Sequence, residues 1–323
     1  MRYRTILIIP VLAMSWATAL VDVYRPGRAA AGEKTTRQQV ERTVSADSAV
    51  VLTACLGSGS LTVHAWDHNQ VRARASDGLQ IDLQRKTSDA NAEPAAQLAL
   101  VIKNAHSKDD GVCLPFGDIE LDVPRLASVK LQTREASVTV SGVAKVNVVT
   151  QGGTVRVQSA TSEVSVRSIG GDISVNDSTA MIRLHSIGGS IDVDGVRPHT
   201  TVDSLEAGTV GGDIMLRHVS HQNVRVNSVS GEVNFKSSLA PGGRFKFSSI
   251  SGRLNLFLPT DSSFRISATL GRGALDTDFP FGSSSVDSRR NRSSIQHLEA
   301  VYGGGEALID LSSLNGSIHL RKQ

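Results

Sequence analysis

The residues of this chain best placed for chemistry are three carboxylates, Asp172, Asp213 and Glu232. Each directly follows a glycine in a unit of the form small-Gly-x-apolar-x-apolar. Aligning those units puts Thr154, Asp172, Ser190, Asp213, Glu232 and Arg253 in one column. Glycan-cleaving β-helices use acidic side chains that project from neighbouring rungs, so this column is where a lyase or hydrolase would be built. With rungs stacked at ~4.8 Å, Asp172 and Asp213 lie two rungs, or ~9.6 Å, apart. That is just beyond the ~6.5–9.5 Å of an inverting carboxylate pair. Two observations weigh against the enzyme. The column mixes signs and hydroxyls, as a solvated turn does. In addition, no Phe, Tyr or Trp occurs between Gly117 and Asn234 to stack on a sugar ring. We expect a solvated face and no catalytic constellation.

Other chemistries are weaker still. Calcium-binding solenoids repeat Gly-Gly-x-Gly-x-Asp. Here Gly-Gly precedes Asp directly at Asp172 and Asp213, and the period is twice too long. Asp192 and Asp194 could together chelate one weak ion. His218 and His221 share a connector, but no Cys or acid cluster completes a zinc set; we read them as surface histidines. Gly208–Gly212 and Gly303–Gly305 lack a following helix and a phosphate-loop lysine. No Gly-x-Ser-x-Gly marks a nucleophile elbow. We expect neither a resident metal nor a cofactor.

The elements that position these residues are repeats. Gly-Gly or Ser-Gly opens the units at 152, 170, 188, 211, 230 and 251, at steps of 18 to 23 residues. Each is followed by a short alternating strand, such as Ile173-Ser174-Val175. Most are preceded by another, such as Val164-x-Val166-x-Ser168. Alternation of period two buries one face of a strand and wets the other. A twenty-residue unit of two short strands buries that face only by stacking on its neighbours. The fold expected is all-β: a single-stranded, parallel, β-helix-like solenoid of ~18–23-residue rungs with capping strands at both ends. We expect the corner glycines to adopt positive φ. A hydroxyl column (Thr150, Ser168, Ser186, Thr209, Ser228, Ser249) suits a tight bend in which side chains bond local backbone. The column after it, Ile169, Ile187, Val210, Val229 and Ile250, breaks the alternation. We read it as filling a core corner; the alternative is an exposed apolar stripe for a partner.

Val50–Ala54, Ser60–His64 and Val71–Ala75 read as strands before the repeats, with Gln84–Ala96 and Asn104–Gly111 as polar loops. After the repeats, Ser263–Thr269 and Ala307–Leu311 read as strands and Ser283–Ser294 as a loop. The organisation expected is a signal peptide over 1–31, with a second cleavage position after 19. A polar linker over 32–47, an N-terminal β cap over 48–117, the solenoid over 118–262 and a C-terminal β cap over 263–323 follow.

Arg2 and Arg4 before the apolar run 6–23 form the pattern of a secretory signal, with a retained anchor as the alternative. The expectation is export to the periplasm or cell envelope, with membrane contact only through an uncleaved N-terminus. Removing residues 1–31 takes away Arg2, Arg4, Arg25, Arg28 and Asp22, so 34 bases and 31 acids become 30 and 30. A neutral chain whose clearest basic cluster is Arg289, Arg290 and Arg292 is a poor nucleic-acid binder. In an oxidising compartment Cys55 and Cys113 could pair, although buried free cysteine is also common.

In order along the chain stand Gly117-Asp118-Ile119-Glu120-Leu121-Asp122-Val123-Pro124, the Gly-Gly-Asp-Ile units, Leu258-Pro259-Thr260-Asp261-Ser262-Ser263-Phe264, and Tyr302-Gly303-Gly304-Gly305 through Leu314-Asn315-Gly316-Ser317-Ile318. This order resembles the bacterial β-strand-repeat "putative adhesin" family, defined as a domain of unknown function, over roughly 48–320. The resemblance implies an exported or membrane-associated β-solenoid and supplies no catalytic residues. The partner expected is an envelope protein or surface of unknown identity.

Overall fold

A computed structural model describes residues 40–76, 79–86, 94–103, 116–281, 285–286 and 296–323. The signal segment, Cys113, the loop Asn104–Gly111 and the basic cluster at Arg289, Arg290 and Arg292 lie outside them. The described residues belong to one compact unit, Arg37–Gln323.

That unit is the parallel solenoid the repeats require. Each central rung contributes a six-residue strand to one ladder and a shorter strand to another. The long-strand ladder runs Lys145–Thr150, Glu163–Ser168, Met181–Ser186, Ser204–Thr209, Asn223–Ser228 and Arg244–Ser249. The short-strand ladder runs Val155–Gln158, Ile173–Asn176, Ile191–Asp194, Ile214–Arg217, Val233–Lys236 and Leu254–Leu258. Register is strict, with Val164 pairing Ile182 and Val175 pairing Val193, so like residues stack on like. Alternate side chains point inward and are buried: Val164 and Val166 face Ile173 and Val175, each at most 1% exposed. Each such side chain contributes about 1.5–3 kcal/mol on burial. The aromatic-free rungs give way to a thicker core at Phe235, Phe245 and Phe247, whose rings lie 5.2–5.9 Å apart.

The glycine corner differs from expectation in its cause. Among the six second glycines, Gly153 alone has a φ in the left-handed region (80°). The requirement is space. A Cβ on Gly171 would lie 1.8 Å from the carbonyl oxygen of Gly153, and one on Gly231 would lie 1.7 Å from that of Gly212. Backbone thus stacks directly on backbone, and any side chain would force the rungs apart. Left-handed residues occur at the opposite corner, after the short strand: Gly142, Ser159, Asp177, Gly195 and His218.

The solenoid also continues into both segments expected to be caps. Residues Val51–Leu56 of the strand Val40–Leu56 pair in parallel with Ser128–Thr133, the next rung inward. Ala95–Lys103, expected in part to be loop, pairs in parallel on the other side. The first rung in the chain is therefore the second in space. The C-terminus repeats the device. Ala307–Ser313 inserts between Arg244–Ser249 and Phe264–Leu270, parallel to both. Antiparallel pairing takes over at the ends of the stack, at Gln80–Arg85, at Gln70–Ala75 with Val40–Ser45 outside it, and at Gln296–Tyr302, while Leu275–Thr277 ends the short-strand ladder in parallel. Antiparallel edges, together with the buried rings of Phe264 and Phe279, cover the open ends of the stack.

Candidate functional site: a ridge and groove on one corner

Each rung leaves its long strand through a buried hydroxyl. The hydroxyls of Ser168 and Ser186 accept from the amides of Gly171 and Gly189 at 2.8 and 2.9 Å. Those of Ser228, Ser249 and Ser313 donate to the carbonyls of Gly231, Gly252 and Gly316 at 2.7–2.9 Å. Either polarity closes the same bend, so in these rungs the expected local bonding holds and its partner is the second glycine, whereas Thr150 donates to the carbonyl of the first, Gly152. Inside that bend the chain turns on the hydroxyl, and the following residue is thrown to the convex side.

That residue is the aliphatic column. Ile169, Ile187, Val210, Val229 and Ile250 are 38–54% exposed, and the buried-corner reading is overturned. The alternation ends at the hydroxyl, which takes the inward position the aliphatic residue would have filled. Leu314, 54% exposed, extends the column. It escaped the alignment because its rung enters from the C-terminus out of sequence order. Six rungs at ~4.8 Å make a ridge about 24 Å long. Its backbone is already paired: Gly188 N–H donates to Ile169 O at 2.7 Å and Asn315 N–H to Ile250 O at 2.7 Å. The ridge therefore offers side chains and no free strand edge. A contiguous exposed aliphatic strip of this kind marks interaction surfaces.

Beside Ile169 and Ile187 the ridge walls a groove of about 730 Å³ that also takes in Val149, Arg134, Arg167 and His185. The last three were not singled out from the sequence. The signal was available, since Arg134 occupies the ridge column and Arg167 and His185 the column just before the hydroxyls. Gly208 leaves room for the His185 ring, from which a Cβ at that position would stand 3.1 Å.

The carboxylate column faces away from this groove in its bonding. Asp172 Oδ1 accepts from the amide of Ser190, and Asp213 Oδ1 from that of Glu232, both at 2.8 Å and both one rung on. Glu232 receives Asn255 Nδ2 and lies 3.6 Å from Arg253. These acids tie successive corners together. Asp192 and Asp194 are spanned by the Arg217 guanidinium at 2.9 and 3.1 Å. His218 Nδ1 lies 2.7 Å from Asp194, and this bond together with Arg217 holds the Asp194 carboxyl below its ordinary range against the opposing effect of burial. Among the described residues no group of three or more His, Cys, Asp and Glu could hold a metal ion.

His221 corrects the surface-histidine expectation. It is fully buried, its Nε2 donates to Ala180 O at 2.8 Å, and its Nδ1 has no partner. Desolvation lowers its pKa, opposed by the Ala180 carbonyl and by Asp203. Cys55 is disulfide-bonded. The chain's other cysteine, Cys113, lies outside the described residues.

No curated protein shows significant similarity to the chain. Two solved structures align along most of it. One, titled a putative cell adhesion protein from Clostridium sporogenes, shares 10% identity at a TM-score of 0.21, covering 89% of this chain and 100% of that one. The other, a putative adhesin from Parabacteroides distasonis, shares 9% identity at a TM-score of 0.45, covering 88% and 98%. A family model described as "Toastrack DUF4097" matches residues 37–321, the whole of the stacked unit. The chain belongs to the Toastrack DUF4097 family.

Proposed function

We propose that this is a non-enzymatic, exported envelope protein that docks a partner along the ridge from Ile169 to Leu314. The observation that carries the reading is an aliphatic strip exposed on six consecutive rungs while every neighbouring inward position is filled. A strip that served only to fold the solenoid would be buried. Export rests on the n-region and h-region pattern of the first residues, and it places the two-cysteine chain where a disulfide persists.

Site-specific photo-crosslinking from position 187 or 250 in cells tests this. The expected result is one reproducible envelope partner, lost on Val229→Asp and retained on Asp192→Asn. Capture of bulk periplasmic protein, or capture insensitive to Val229→Asp, would overturn it.

A glycan-cleaving enzyme using Asp172, Asp213 and Glu232 has less support, because those carboxylates are engaged in bonding the next rung. Cleavage of a polysaccharide by the purified chain, abolished by Asp213→Asn, would restore that reading.

A further inference from the structure

We propose that the groove at the N-terminal end of the ridge seats an acidic, aliphatic-rich extended peptide of the partner. The proposal rests on the docking reading above and names the chemistry of what docks. Among the described residues three basic side chains, Arg134, Arg167 and His185, line the groove, and no Asp or Glu does. Elsewhere on the long-strand ladder exposed arginines meet carboxylates, as Arg183 does Glu163 and Arg225 does Glu206. Among the described residues Arg134 and Arg167 have no such partner.

Three further features select a peptide. Gln132 and Gln151 line the groove with amide side chains of the kind that pair with peptide backbone. Ile169 and Ile187 supply an aliphatic wall without an aromatic platform for sugar. Thr133, only 3% exposed and also at the groove, has a hydroxyl with no partner, whereas Ser168 and Ser186 spend theirs on Gly171 and Gly189.

The register adds a spacing. Thr133, Thr150 and Ser168 stack in successive rungs, so Arg134 and Arg167 sit two rungs apart and on opposite sides of that hydroxyl column. Two rungs are about 10 Å and two residues along the strand about 7 Å, together about 12 Å, which three to four residues of extended chain span at ~3.3 Å each. The preferred ligand therefore carries carboxylates three or four residues apart with aliphatic residues between them.

The test is panning a random-peptide phage library on the full chain, followed by fluorescence anisotropy of the best synthetic peptide. Enriched peptides should show Asp or Glu three or four residues apart beside Val, Ile or Leu. Arg134→Glu and Arg167→Glu should each weaken binding at least about tenfold. Lys145→Glu, on the same ladder outside the groove, should leave it within about twofold. All three positions are exposed, so thermal melts of the variants should match the parent. Enrichment of peptides without acids, no enrichment, binding only to phosphatidylglycerol vesicles, or indifference to both arginine variants would overturn the proposal. If Val229→Asp abolishes the cellular crosslink while the arginine variants keep it, docking on the ridge stands and the acidic-peptide assignment falls.

Discussion

The carbonyl oxygen of Gly171 occupies the space that a side chain on Gly189 would need: a Cβ there would stand 2.1 Å away. The first glycine of that pair is different, since a Cβ on Gly188 would meet Ile169 O at an ordinary 3.6 Å. Gly189→Ala should therefore destabilise the solenoid by about 3 kcal/mol through overpacking. Gly188→Ala should fall within about 0.5 kcal/mol of the parent. Urea midpoints of the two variants decide it, and equal midpoints would show that the rungs relax around the added methyl.

The hydroxyl column makes a second separation. Ser186→Ala leaves the amide of Gly189 without its acceptor in a buried bend and should lower stability by about 1–2 kcal/mol. Ser186→Thr keeps the oxygen, as Thr209 does for Gly212 at 3.1 Å, and should preserve most of the stability. If Ala and Thr behave alike in denaturant melts, the hydroxyl bond is not what closes the corner.

His221 gives the fold an acid-sensitive point. Its folded pKa is lowered from the ordinary 6.5, so the unfolded chain binds a proton first as pH falls. By linkage its contribution is fully present above about pH 6.5 and is lost as pH drops toward the lowered value. Thermal melts between pH 8 and pH 5 should show a fall in Tm that His221→Gln reduces. An identical pH profile for that variant would remove His221 as the cause.

Because Cys55 is disulfide-bonded and the chain holds two cysteines, reduction should loosen the N-terminal rungs. The expected loss is about 2–4 kcal/mol, read as a lower urea midpoint in dithiothreitol. Cys55→Ala should give the same midpoint with and without reductant. A parent indifferent to reductant would mean that the bond constrains nothing in the unfolded chain.

The interior of the stack was legible because its rule is local. Val164, Val166 and Ser168 declare their inward face by alternation, and the glycine at 171 marks the corner without reference to any distant residue. Ala95–Lys103 was misread in part because its first residues close a polar stretch, while its strand pairing is set by residues elsewhere, Leu52 and Thr53 on one side and Ile81–Arg85 on the other. The Asp172 and Asp213 column was located, yet its use was not, since a carboxylate bonding the amide one rung on looks in sequence like one free to react.

By itself, then, the sequence determined the rung period, the inward residues of the alternating strands and the glycine corners from Gly153 to Gly252, all consequences of period-two burial repeated at a near-constant step. Tertiary structure decided three things that no local pattern encodes. It set the spatial order of the terminal rungs, through pairing of Val51–Leu56 and Ala307–Ser313 with strands far along the chain. It buried His221, because a connector's side chains follow the rungs around them. And it turned Ile169, Ile187, Val210, Val229 and Ile250 outward, because once the serine or threonine before them fills the inside of the bend, the next side chain has only the outside left.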